Sequence, residues 1–546
     1  MNRRAILKRL ALAAPTPWLP GLVAGRNWSP SAGPFQPTWE SLAQYQTPDW
    51  FRDAKFGLWA HWGPQCQPEA GDWYGRGMYE EGSGQYKSHL SRYGHPSKAG
   101  FKDIIREWRA EAWDPEELVG FYRQAGARYF VALANHHDNF DLYQSQHQPW
   151  NSTRLGPKKD LIGGWAKAAK KHGLRFGVSV HAAHAWAWYE TAQRADKQGP
   201  LAGVPYDGRL TAAQGRGQWW QGLDPQALYA QNHPLSADSK NNGSIHRQWD
   251  WADGASIPDA AYCEKFYRRT HELLDRYEPD LVYYDDTALP LWPVSNVGLR
   301  LAAEQYNASV RRHGGRNEAV ITGKILTEAQ RHALVWDIER GQSQRIEPLP
   351  WQTCTCLGDW HYNRAVYDRQ GYKSAQTVVH TLVDVVSKNG NLLLSVPVRG
   401  NGTIDEQERA IVQGIGTWLQ ANGESIYGTR PRKVLGEGPA LASTAPLSAQ
   451  GFNEGKNKPF GAQDIRFATK GEVLYATALG WPADGQLVIA ALGEGNPLRP
   501  QPVRRVELLG HGQPLAFERT AQGLRVRLPA QPPAAGLAYA FKIEAQ

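Results

Sequence analysis

Cysteine is scarce in this chain. Four thiols, Cys66, Cys263, Cys354 and Cys356, are spread over 546 residues with no Cys-x-x-Cys pair among them. That excludes a disulfide framework and the common zinc patterns, and predicts four small buried side chains. Beyond the N-terminus no apolar run is long enough to cross a bilayer, so no membrane span is expected. There is no internal repeat, no low-complexity segment and no long basic run, which speaks against nucleic acid as a partner. What remains is an ordinary globular composition, 41% hydrophobic and 21% charged, too apolar for a disordered chain. Its length exceeds what one core usually organises, so two domains are expected.

Tryptophan is abundant, at 23 residues. Flat aromatic faces suit ligands that are both apolar and hydroxylated, although most tryptophans in any protein are core. At the start, Asn2-Arg3-Arg4-Ala5-Ile6-Leu7-Lys8 precedes a moderately apolar run to about Ala24. This resembles a twin-arginine export signal, so residues 1–25 are expected to stand outside the fold and the protein to be exported, to a periplasm or beyond the cell. Their removal would take away Arg3, Arg4, Lys8 and Arg9 and lower the formal charge from +8 to +4.

The stretch Pro279-Asp280-Leu281-Val282-Tyr283-Tyr284-Asp285-Asp286 reads as a buried strand that delivers carboxylates into a polar pocket, where they must be paired or used. A helical pattern over Ala260–Tyr277 precedes it. Eight such runs are found, at residues 56–61, 129–135, 175–181, 281–286, 319–325, 334–339, 352–357 and 391–397. Amphipathic helical spacing at Pro115–Gln124, Leu161–Lys171 and 375–388 points to parallel strands with crossover helices, an α/β fold of the (β/α)8 TIM-barrel kind over residues 36–430. Five runs end in titratable groups: His61, the pair His136 and His137, His181, Asp285 and Glu339. A lone histidine there would usually be a satisfied core residue; five converging ends predict one catalytic face. The aromatic loops at 68–86 and 182–258 are expected to wall the pocket. After a capped helix at 405–421, short alternating runs separated by Gly and Pro predict a C-terminal antiparallel β-sandwich over 431–546.

Several motifs, in order, carry a family resemblance. Lys55-Phe56-Gly57-Leu58-Trp59-Ala60-His61-Trp62-Gly63, Gly71-Asp72-Trp73-Tyr74, Asn135-His136-His137-Asp138-Asn139-Phe140, Trp150-Asn151-Ser152, the strand ending in Asp285, Ser387-Lys388-Asn389-Gly390-Asn391 and Asn422-Gly423-Glu424-Ser425-Ile426-Tyr427-Gly428 resemble glycoside hydrolase family 29, the α-L-fucosidases. The resemblance implies a retaining exo-glycosidase that releases terminal α-linked L-fucose from a fucosylated oligosaccharide or glycoconjugate, with no cofactor and no metal. It places the nucleophile at Asp285, with Asp286 as rival on the opposite strand face. It places the acid/base at Glu339, with Glu347 and Glu328 as alternatives. It also implies that His61, His136, His137 and Trp73 hold the sugar, that Asp72 stands where many members have Glu, and that Trp360 walls the fucose methyl group. On the third strand His181 replaces a frequent Tyr pair and is offered as a hydrogen-bond donor to the nucleophile. Arg340 is expected to point away from Glu339, whose pKa must be raised for proton donation. Two other readings stay open: a metal-dependent hydrolase using the histidines, and a fucose-binding protein without catalysis.

Overall fold

The computed structural model describes residues 33–236, 251, 257–442, 445–448, 450–497, 502–534 and 536–546; the paired arginines and the rest of residues 1–25 lie outside these. Eight parallel strands close into a barrel in sequential order: β1 (Phe56–Ala60), β2 (Tyr129–Asn135), β3 (Arg175–Val180), β4 (Leu281–Tyr284), β5 (Val320–Gly323), β6 (Val335–Glu339), β7 (Trp351–Cys356) and β8 (Gly390–Ser395). The ring shuts where Phe56 of β1 pairs with Leu392 of β8. Nearly every strand residue is buried, as in a parallel sheet covered on both faces, which is why the sequence shows short continuous apolar runs rather than alternation. Each of the eight predicted runs falls on one of these strands.

Helices α1 (Pro115–Gln124), α2 (Leu161–Lys171), α3 (Ala260–Tyr277), α4 (Val297–Arg312), α5 (Ala375–Ser387) and α6 (Glu406–Asn422) pack around the barrel. Side chains of Asp114, Asp160, Asp259, Ser374 and Asp405 accept first-turn N–H groups of α1, α2, α3, α5 and α6, satisfying donors the helices leave over. At α6 the capping box is reciprocal, with Glu408 accepting from the Asp405 N–H. The outer layer is irregular on one side. Between β5 and β6 there is the short turn Gln330–His332, and among the described residues no helix lies between β6 and β7. There Ile338, Trp351 and Val385 are covered instead by Trp336 and by Leu447, from far along the chain.

Among the described residues the C-terminal part holds eight strands, β9 (Arg430–Glu437), β10 (Ile465–Lys470), β11 (Val473–Ala478), β12 (Gln486–Ile489), β13 (Val503–Leu508), β14 (Phe517–Thr520), β15 (Gly523–Arg527) and β16 (Tyr539–Ala545). They form antiparallel sheets in the orders β13-β16-β11-β10-β9 and β12-β15-β14. Phe467, Leu474 and Ile543 of the first share one apolar core with Leu487, Leu524 and Val526 of the second, the expected sandwich. The alternating runs of the sequence, at residues 464–469, 472–478, 486–491, 505–509 and 524–528, fall on β10, β11, β12, β13 and β15; no such run marks β9, β14 or β16. The sandwich is tied to the barrel by a buried ion cluster: Asp384 of α5 accepts from Lys388 Nζ at 2.5 Å and from Arg466 Nε of β10. Burial works against the Asp384 carboxyl's charge, yet the two cations hold its pKa below the ordinary value. All four cysteines are buried and free. No described helix is long and apolar enough to cross a membrane.

Candidate active site

The C-terminal ends of the barrel strands open into a cavity of about 250 Å³. His61, Asp72, Trp73, His136, His181, Asp285, Glu339 and Trp360 line it, so eight of the nine residues expected from the sequence meet at one place. The ninth, His137, stands behind Asp285 with its Nε2 3.2 Å from Oδ2 of that carboxylate.

Backbone pairing continues one residue past β4, where the Asp285 N–H donates to Val180 O at 3.1 Å, and that turns the side chain into the cavity. The next side chain alternates away, as predicted. Asp286 is buried, accepting from the N–H groups of Thr287 (2.6 Å) and Leu291 (3.1 Å), and shapes the loop rather than the cavity. The His181 backbone is fixed by Asn135, whose Oδ1 accepts its N–H at 3.1 Å, and its Nδ1 lies 2.9 Å from Asp285 Oδ2. This is the contact expected to stand in for the missing Tyr pair.

The sequence reading missed the strongest charge in the site. Lys324 directly follows β5, is buried, and donates from Nζ to Asp285 Oδ1 and to Glu339 Oε2, the latter at 2.5 Å. Burial alone would raise the Asp285 carboxyl, but Lys324 and the imidazoles outweigh it and hold its pKa well below the usual carboxylate range. Glu339 responds the other way. Its burial, reinforced by the charge on Asp285, outweighs Lys324 and leaves its pKa raised. The two carboxyl groups are thus pushed apart in acidity, one an anion and the other a potential proton donor.

The histidines behave as neutral imidazoles. Burial and mutual repulsion drive His61 and His136 well below the ordinary value, and burial takes His181 down to about 4. Both ring nitrogens of His61 and Nε2 of His181 are buried without a hydrogen-bond partner, an arrangement suited to a ligand with several hydroxyls. His361, a further member the sequence reading overlooked, packs its ring 4.7 Å from those of His61 and His136. Ligand-type atoms of His61, His136 and His361, and of His136, His137 and His181, lie within 4.8 Å of one another, close enough to share a transition metal.

Asp72 holds the rim. Its carboxylate accepts from the N–H groups of Trp360 (3.1 Å) and His361 (2.6 Å), so the loop after β7 is fixed to the loop after β1. The Trp360 ring then sits 5.5 Å from Trp59 and from His61. Trp59 and Tyr283, their ring centres 4.7 Å apart, make the floor, beneath which Asp337 accepts from Gln352 at 2.7 Å and is raised to about 6 by burial.

Two expectations need correction. Arg340 does not turn away: it lines the cavity edge, 3.4 Å from Glu454, and its charge works against the raised pKa of Glu339. The excursion at 182–258 supplies no cavity residue among those described. Its aromatics pack on one another and behind the histidines, Trp186 on His233 at 4.4 Å, Trp251 on His184 at 4.5 Å and Trp188 6.0 Å from His137; Trp249 lies outside the described residues. The outer wall comes instead from Gln450 and Phe452, in the chain between β9 and β10. Of the alternative acids, Glu347 is bound by Ser343 (2.6 Å) and Arg345 (3.2 Å) away from the cavity, and Glu328 is exposed, 3.6 Å from Arg331.

Known proteins resemble this chain in both sequence and fold. Residues 23–424 match the family model described as alpha-L-fucosidase, and residues 458–544 that of the alpha-L-fucosidase C-terminal domain. The chain is 25% identical to human plasma alpha-L-fucosidase over 509 residues, covering 91% of this chain and 89% of that one. It is likewise 25% identical to rat tissue alpha-L-fucosidase over 467 residues, covering 83% and 80%. The crystal structure of Thermotoga maritima alpha-fucosidase in complex with fucose shares the fold at a TM-score of 0.66 and 24% identity, covering 93% of this chain and all of that one. With the family model spanning most of the barrel, this chain belongs to the α-L-fucosidase family of glycoside hydrolases.

Proposed function

We propose that this protein is a retaining exo-α-L-fucosidase that releases terminal α-linked L-fucose from fucosylated glycans through a covalent fucosyl-enzyme. One observation carries the mechanism. Oxygens of Asp285 and Glu339 both lie within hydrogen-bond reach of a single nitrogen, Lys324 Nζ. Two charge-assisted hydrogen bonds meeting at one atom limit the separation of those oxygens to roughly 5.5 Å at most. That limit accommodates the carboxyl spacing of a retaining pair, about 5 to 5.5 Å, and falls short of the roughly 6.5–9.5 Å that an inverting pair needs for its intervening water.

In this reading Asp285, kept ionised, attacks the anomeric carbon as Glu339 protonates the departing oxygen. Glu339, now a carboxylate, takes a proton from the water that cleaves the ester. Consuming the Asp285 charge removes one cause of the raised Glu339 pKa, which suits the second role. Lys324 and His181 hold the nucleophile in one ionisation state and orientation. His61 and His136 meet the sugar hydroxyls, His137 supports the Asp285 carboxylate from behind, and Trp73 and Trp360 meet the sugar's apolar faces.

The test is release of 4-nitrophenol from its α-L-fucoside by wild type and Asp285→Ala. Near-complete loss in a folded variant, with azide restoring release and giving β-fucosyl azide, is the expected outcome; substantial residual activity would move the nucleophile elsewhere. The clustered imidazoles favour a second reading, a metal-dependent hydrolase, which predicts activity lost to a chelator and regained with zinc. Export is part of the proposal too, and N-terminal sequencing of the mature protein checks it: an intact Met1 would oppose it.

A further inference from the structure

Between β9 and β10 the chain leaves the sandwich, crosses to the barrel and returns. It docks where the barrel lacks a helix, with Leu447 against Ile338 and Trp351. It then runs alongside the end of β6: Gly451 pairs with Glu339, the Phe452 N–H donates to Glu339 O at 3.0 Å, and the Glu454 N–H donates to Arg340 O at 3.0 Å. Side chains lock the register. Asn453 accepts from the Gln342 N–H (2.8 Å) and donates to Gln342 O (3.1 Å), while the Glu454 carboxylate accepts from Thr355 Oγ1 (2.7 Å).

The approach is closer than an ordinary residue allows. Gly451 has φ +105°, and a Cβ there would lie 2.6 Å from both Glu339 O and Ile338 Cγ2. Phe452 follows at φ +39°, a left-handed conformation unusual for an aromatic residue and one that persists only where the surroundings impose it. The outcome of this strain is that the half-buried Phe452 ring and the Gln450 side chain enter the cavity wall beside Glu339 and Arg340.

We propose that Phe452 and Gln450 form the subsite for the leaving-group sugar, with Phe452 as a stacking platform for a pyranose ring and Gln450 and Arg340 as hydrogen-bonding partners for its hydroxyls. This rests on the fucosidase reading. If Glu339 protonates the departing oxygen, the ring attached to that oxygen must lie next to Glu339, and the nearest wall outward from it is this segment. An aromatic face against the C–H face of a pyranose, flanked by an amide and a guanidinium, matches the mixed surface of a sugar. The imidazole cluster, on the other strands, is left for fucose.

The experiment compares a fucosylated trisaccharide such as 2′-fucosyllactose with α-L-fucosyl fluoride, whose leaving group carries no sugar. Phe452→Ala should lower kcat/KM for the trisaccharide about tenfold and Gln450→Ala about threefold, with the fluoride unchanged within about twofold. Phe452→Leu, which keeps apolar bulk but no flat face, should melt like wild type and still lose most of the trisaccharide activity. Equal losses on both substrates would overturn the proposal, because the segment would then merely position the Glu339 strand. Undiminished trisaccharide hydrolysis in both alanine variants would overturn it as well. Wild type inactive on both substrates would instead defeat the fucosidase reading itself, and would do so before any variant is made.

Discussion

At the floor of the cavity, His61, His181, Asp285 and Lys324 each follow directly on a barrel strand that is paired on both sides, and Glu339 is the last residue of one. At the rim, Trp73, Trp360, Gln450 and Phe452 come from connections, two of them from the far end of the chain. The floor inherits its precision from the ladder; the rim has to be held by specific side chains, Asp72 for one loop and Asn453 and Glu454 for the other. Chemistry common to a fold can sit on the first, whereas features that differ between relatives belong on the second.

Mutations should separate the two. The largest effect is expected at the floor, where Asp285→Ala should cost about a thousandfold or more in kcat with little change in melting temperature. Its neighbour gives the contrast. Asp286→Ala should leave the chemistry of the folded enzyme largely intact but destabilise it by about 1–3 kcal/mol, read by thermal melting, because the buried Leu291 N–H and the part-buried Thr287 N–H lose their acceptor.

Next is Lys324→Met, expected to lower kcat/KM about a hundredfold and to move the pH profile. With the proposed roles, the acid limb of the wild-type profile is expected to report protonation of Asp285, held well below its ordinary pKa, and the alkaline limb ionisation of Glu339, which is raised. Lys324 lowers both carboxyls, so removing its charge raises both, and both limbs should shift to higher pH. A profile that fell in height without moving would place Lys324 outside the ionisation of this pair.

A smaller effect is expected at the rim. Trp360→Ala should raise KM about tenfold for every fucoside with a lesser change in kcat, since the ring contributes contact rather than charge. Smallest of all, prolonged dialysis against a chelator should leave activity unchanged. Loss restored by zinc would transfer the imidazole triads from sugar to metal.

The difference between floor and rim is also the difference between what could and could not be read from the sequence. Apolar runs are a local pattern that located all eight strands, and the five that end in titratable groups each bring such a group to the cavity. Lys324 sits at the same kind of strand end, after Val320-Ile321-Thr322-Gly323, but a lone lysine after an apolar run is most often a solvated surface cation and so carries little signal. Gln450 and Phe452 obey no local rule. Their placement depends on Leu447 finding Ile338 across more than a hundred residues and on a left-handed phenylalanine, neither of which leaves a periodic trace. The 182–258 excursion misled for the converse reason: its composition suits a sugar site, but its described rings pack on one another and against the barrel body behind the site.

The gap in the helical layer beside β6 bears on how such an enzyme can be cut and recombined. A break between residues 430 and 431, the domain border expected from the sequence, would separate the barrel from the segment that covers Ile338 and Trp351 and runs beside Glu339. Barrel and sandwich are therefore not interchangeable cassettes. A chimera exchanging only the C-terminal part would be expected to acquire a new mouth as well as a new tail, and the sequence past residue 430 becomes a place where selection can retune the enzyme without touching a barrel strand.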